Sequence, residues 1–112
     1  MTNTSKARGT AWETMIVNYL IEHGWPNTER RALHGSDDRG DIAGIVGLVV
    51  EAKNDKRFDL AGWLDEATAE RDHDGADLGV AWFKRRGHPS PGEAYVLMDG
   101  AAFVLLLKAA GY

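Results

Sequence analysis

Asp41, Glu51 and Lys53 are the residues whose types and spacing could do chemistry. Successive strand residues point to opposite faces, so Glu51 and Lys53, two apart, share one. If residues 41–45 and 48–53 form a hairpin turning about Val46, facing residues have numbers that sum to 92, and Asp41 faces Glu51. Directly opposed side chains of an antiparallel pair have Cβ atoms about 4.5–5.5 Å apart. Two carboxylates that close repel, and a divalent cation relieves the conflict. Magnesium takes one or two carboxylates and keeps its other positions for water or phosphate oxygens. Lys53 beside them adds a point charge for a phosphate oxygen or an attacking water. Together they make a minimal centre for phosphodiester hydrolysis, in which the metal polarises the phosphoryl oxygen and acidifies a bound water. The plainer alternative is a set of solvated charges on an exposed strand, with the lysine in a surface ion pair worth about 0–1 kcal/mol.

These residues need elements to position them. Trp12, Met15, Ile16, Tyr19 and Leu20 form one apolar stripe of a helix that starts near Thr10 and ends at Gly24 and Pro26. Residues 29–33 read as a short strand, followed by a polar loop over 34–40 and then the hairpin. Residues 60–71 read as a second helix, with Leu60, Trp63, Leu64 and Ala67 inside and its acids outside. Strands over 78–83 and 94–98 flank a turn-rich loop at 86–92. Asp99 caps a last helix over 100–110, ended by Gly111. The order α-β-β-β-α-β-β-α predicts one α/β domain over residues 1–112, a mixed sheet flanked by helices. The last helix is apolar on nearly every side, so either the sheet and first helix cover it or a partner subunit does.

Composition narrows the class. Of 112 residues, 44% are hydrophobic and 27% charged, which excludes a disordered tail. The absence of cysteine removes disulfides, thiolate zinc sites and thiol nucleophiles, and makes a reducing cytoplasm the expected compartment. No apolar run approaches the roughly 20 residues that cross a bilayer, and the basic, polar start lacks the apolar segment of a signal peptide. The net charge of −4 excludes nucleic-acid binding by bulk charge alone. That charge is uneven: residues 65–77 hold six acids and one base, leaving 11 acids and 12 bases elsewhere, so a local basic surface is allowed. There is no Gly-rich nucleotide loop, and the four histidines lack metal-ligand spacing; His34, in the loop before Asp41, is the one placed to approach a substrate.

Gly40-Asp41-Ile42-Ala43 followed by Leu48-Val49-Val50-Glu51-Ala52-Lys53 resembles the PD-(D/E)xK nuclease superfamily, and within it the archaeal-type Holliday junction resolvases and their phage relatives. Arg8-Gly9 with Glu13, Gly24-Trp25, Arg30-Arg31, Gly35-Ser36 and Trp82-Phe83-Lys84 agree in order, so the likeness spans residues 6–86. It implies a restriction-endonuclease-like core. It also implies Mg²⁺, with Mn²⁺ able to substitute, held by Asp41, Glu51 and the Ala52 carbonyl. Lys53 would orient the attacking water or stabilise the phosphorane, and Glu13 would reach the metal through water. Arg8, Arg30 and Ser36 would lie near the scissile phosphate, with Arg31 and Arg39 among the DNA-contacting cations. Gly40 stands where the motif has proline.

Lys56-Arg57 and Lys84-Arg85-Arg86 could hold DNA phosphates, contacts that position a duplex without reading it. Thr10-x-x-Glu13 also fits a capping box, in which the glutamate only satisfies a backbone N–H. The expected activity is Mg²⁺-dependent resolution of four-way DNA junctions by paired nicks. One site cuts one strand, so two symmetric cuts call for a homodimer. A restriction-, repair- or flap-type nuclease, and a non-catalytic DNA-binding module on the same fold, are the alternatives.

Overall fold

A computed structural model describes residues 2–31 and 40–112, with side chains described from Lys6 onward. The elements are α1 (Thr2–Glu22), β1 (Glu29–Arg30), β2 (Ile42–Ala43), β3 (Leu48–Lys53), α2 (Leu60–Asp74), β4 (Leu78–Phe83), a 3₁₀ turn (Pro91–Glu93), β5 (Tyr95–Leu97) and α3 (Gly100–Ala109). The five strands lie in sequence order in one mixed sheet. β3 and β4 run parallel, joined through α2, and every other neighbouring pair is antiparallel. This is an α/β architecture with the predicted order of elements. Among the described residues no helix is long and apolar enough to cross a membrane.

Strand alternation sorts the core into two layers. Trp12, Ile16, Val17 and Leu20 of α1 pack on Ile42, Val50 and Val80, with Leu48 and Ala52 partly buried beside them. On the other face, Trp63 of α2 packs with Ala81 and Phe83 of β4. Glu51 and Lys53 share that second face, because they alternate with Val50 and Ala52. α2 comes close to the sheet because residue 79 is glycine: a Cβ there would stand 2.3 Å from the Ala67 carbonyl oxygen. Asp59 caps α2 by accepting from the Gly62 N–H at 3.1 Å, and Gly75 ends it in the left-handed conformation.

Several boundaries differ from expectation. α1 begins at Thr2 rather than near Thr10. The added turns include Lys6, Ala7 and Arg8, all good helix formers, which carry the helix past the apolar stripe. β2 is two residues instead of five. Gly40 at φ +94° bounds it on one side and Gly44 at φ +104° on the other, and both values break extended pairing. β1 covers only Glu29–Arg30, and most of the remainder of the expected strand falls outside the described residues. Leu60, expected inside, is 46% exposed, and so is Trp25. The acids of α2 are not all outward, since Glu70 follows Trp63 and Ala67 on the buried stripe. Asp99 does cap α3, its carboxylate accepting from the Ala102 N–H at 2.8 Å. Of that helix only Ala102 is buried, and Phe103, Val104 and Leu105 are about half exposed.

Candidate metal centre and basic groove

The hairpin places Ile42 opposite Val50, the pairing that a sum of 92 predicts. Asp41 departs from simple pairing: its N–H donates to the Val50 carbonyl at 3.0 Å, so two consecutive residues address Val50 and the strand bulges there. The bulge depends on Gly40. Its φ of +94° is closed to the motif's proline, and a Cβ would stand 2.6 Å from Val49 Cγ1. The turned Asp41 carboxylate accepts from the Ala52 N–H at 2.9 Å through Oδ2. In an extended residue the N–H and C=O point to the same side, so the Ala52 carbonyl faces the Asp41 edge of β3.

Glu51 is 5% exposed and interacts with the carboxyl groups of both Asp41 and Glu70. Burial pushes its carboxyl up to about 8; Glu70 adds to the rise, while the Asp41 hydrogen bond and the Lys53 charge pull against it. Its Oε2 is buried without a hydrogen-bond partner. An orphaned carboxylate oxygen among other carboxylates fits a hard, oxygen-seeking dication such as Mg²⁺ or Mn²⁺. Asp41, Glu51 and the Ala52 carbonyl are therefore suited to hold one.

Lys53 Nζ donates to both oxygens of Glu66, at 3.1 and 3.0 Å. Burial alone would lower its pKa, but the Glu66 hydrogen bond and the charges of Glu51, Glu66 and Asp41 outweigh that and leave it raised. The side chain is thus an ammonium at neutral pH, suited to stabilise negative charge rather than to accept a proton. Glu13 lies within α1, near enough to feel the Asp41 charge, and Arg30 Nε donates to it at 3.0 Å. Burial raises the Glu13 pKa and Arg30 opposes the rise. Since Thr10 is interior to α1, the capping-box alternative for Glu13 is removed.

The predicted cations divide. Arg8, Lys56, Lys84, Arg85 and Arg86 line one cleft of about 780 Å³ beyond the C-terminal ends of the parallel strands β3 and β4. Trp12, Met15 and Phe58 supply its apolar lining, and the Lys84 N–H, bonded to the Lys53 carbonyl at 3.0 Å, ties it to the end of β3. Arg57 is exposed but does not line the cleft. Arg30 is held by Glu13, and Arg31 by Asp74 at 3.0 Å, so neither belongs to the cleft. Ser36 and Arg39, with His34, lie outside the described residues.

Sequence reasoning missed Glu66 and Glu70 of α2. Composition assigns both to a solvated acidic face, yet their carboxylate oxygens lie with one from Glu51, all within 4.8 Å of one another. A signal existed for Glu70: it follows Trp63 by seven residues and Ala67 by three, the helical repeat of the buried stripe. No protein-family model, curated protein or solved structure matches the chain.

Proposed function

We propose that this chain is a metal-dependent DNA endonuclease with a restriction-endonuclease-like core, which resolves four-way junctions by paired nicks as a homodimer. The observation that carries the reading is Glu51, a buried carboxylate with an orphaned oxygen, in contact with Asp41 and flanked by the Lys53 ammonium. That composition suits hydrolysis of an anionic ester. Asp41, Glu51 and the Ala52 carbonyl would hold Mg²⁺, with Glu13 acting through water. When bound, the ion supplies Lewis acidity and an acidified water.

The chain's own residues supply the rest. Lys53 balances charge that accumulates on the phosphoryl oxygens. Asp41 is oriented for this task by the Ala52 N–H, which fixes the direction of its carboxylate. The cleft lined by Arg8, Lys56, Lys84, Arg85 and Arg86 begins directly after Lys53 in the chain and would seat the phosphate backbone. The second subunit is argued from α3, where Phe103 is 54% and Leu105 47% exposed, and from the edge strand β5, whose Tyr95 and Val96 are exposed too. An apolar patch of that kind on an edge invites a self-complementary partner.

The test is nicking of a synthetic four-way junction, a flap and a linear duplex, with Mg²⁺ and with EDTA, alongside sedimentation of the protein. Expected are symmetric Mg²⁺-dependent nicks on the junction, a species of twice the chain mass, and a loss of at least about 100-fold in Glu51→Gln. Preference for the flap or the linear duplex would move the reading to another nuclease of this fold. Equal cleavage by wild type and Glu51→Gln would remove the site assignment.

A further inference from the structure

We infer that Glu66 and Glu70 of α2 complete, with Glu51, a second divalent-cation position on the side of the Glu51 carboxylate that faces α2. The inference rests on the nuclease reading for its role, though the position itself stands on geometry. One carboxylate oxygen each from Glu51, Glu66 and Glu70 lies within 4.8 Å of the others. Oxygens on opposite sides of one cation are about 4.2 Å apart for Mg²⁺ and about 4.6–5.2 Å for Ca²⁺, so the three need little movement to share an ion. An acidic cluster alone would mean nothing; the second sign is Glu51 Oε2, buried and without a hydrogen bond, an oxygen that would bridge this position and the Asp41 one.

Once deprotonated, the cluster is unbalanced in charge: the Lys53 ammonium feels Glu51 and Glu66, and its contact is with both oxygens of Glu66. Glu66 is the accessible member, with about half of its side chain exposed, whereas Glu51 and Glu70 are buried. A cation therefore has an entry side, and on arrival it competes with Lys53 for the Glu66 oxygens. Filling the position releases the Lys53 ammonium from α2 toward the end of β3, where the basic cleft begins. Lys53 is thus held by Glu66 until the metal arrives. Glu66 and Glu70 act here as ligands and positioning residues; neither is assigned to the reacting atoms.

The experiment counts Mn²⁺ on the full chain by electron paramagnetic resonance and calorimetry, with Mn²⁺ alone as the probe. Two ions per chain are expected in the wild type. Glu66→Gln and Glu70→Gln should each retain one, the other weakened by at least about tenfold. The isosteric change preserves shape, and circular dichroism checks the fold. In a parallel titration with diamagnetic Mg²⁺, the Lys53 Nζ resonance of the wild type should shift when the second ion binds, and in Glu66→Gln it should not. Fewer than two ions in the wild type, or two of unchanged affinity in both variants, overturns the inference. Asp41→Asn separates the two claims, because it should lose the other ion and keep the α2 one. Two ions that fall to one in the α2 variants, without cleavage of any DNA, would uphold the cation position and sink the nuclease reading.

Discussion

Glu51 joins burial to chemistry. Its carboxyl is raised from 4.5 to about 8, chiefly by desolvation, so between those values the folded protein keeps a proton that the unfolded chain has released. Stability of the metal-free protein must then fall as pH rises from about 4.5 to about 8. Glu13, also raised by burial, adds in the same direction. In EDTA the melting temperature of the wild type should drop over that window, and Glu51→Gln should lose most of the drop. Identical pH profiles for the two proteins would show that Glu51 is not the titrating group. Because a metal ligand must be deprotonated, Mg²⁺ affinity should climb over the same window.

α2 is the element that converts a strand motif into a site. Its approach to the sheet is set at Gly79, where a Cβ would meet the Ala67 carbonyl oxygen at 2.3 Å. That approach buries Glu70 against Glu51 and brings Glu66 to Lys53. Gly79→Ala should force the helix outward, cost about 1–3 kcal/mol in urea denaturation and weaken Mn²⁺ uptake. A variant as stable as the wild type would mean that α2 has slack at this contact. Asp59 and Gly75 settle where the helix starts and stops, but not how near the sheet it lies.

At the scale of the molecule, charge is segregated. The chain is acidic overall, yet five of its 13 Lys and Arg residues line the cleft past β3 and β4 while acids crowd α2. Open α/β sheets place ligands beyond the carboxyl ends of their strands, and the cleft lies there. Every DNA phosphate that a protein cation neutralises steepens the fall of log affinity with log salt by about 0.9. The double variant Lys84→Glu, Arg86→Glu should therefore bind duplex DNA more weakly, with a slope shallower by about 2. Filter binding over a salt series reads both quantities. An unchanged slope would exclude the cleft as the DNA path.

How much was legible follows from what carries local information. Asp41, Glu51 and Lys53 could be named because strand parity and hairpin register are properties of the chain itself, and the register holds at Ile42 and Val50. The starts of α2 and α3, the end of α3 and the order of elements come from the same local chemistry, whereas α2 runs to Asp74, past the end expected at Arg71. Other features were not local. Gly40 looked like a departure from a motif until its φ of +94° showed a backbone that proline cannot adopt. Glu66 and Glu70 looked like solvent-facing charge, because their partners are on β3, 13 or more residues away in the chain. The amino-acid order alone determined which side chains alternate on a strand and where helices can begin and end. Only the packing of α2 on the sheet decided which acids are desolvated together, because burial is a property of the neighbours that tertiary contact supplies.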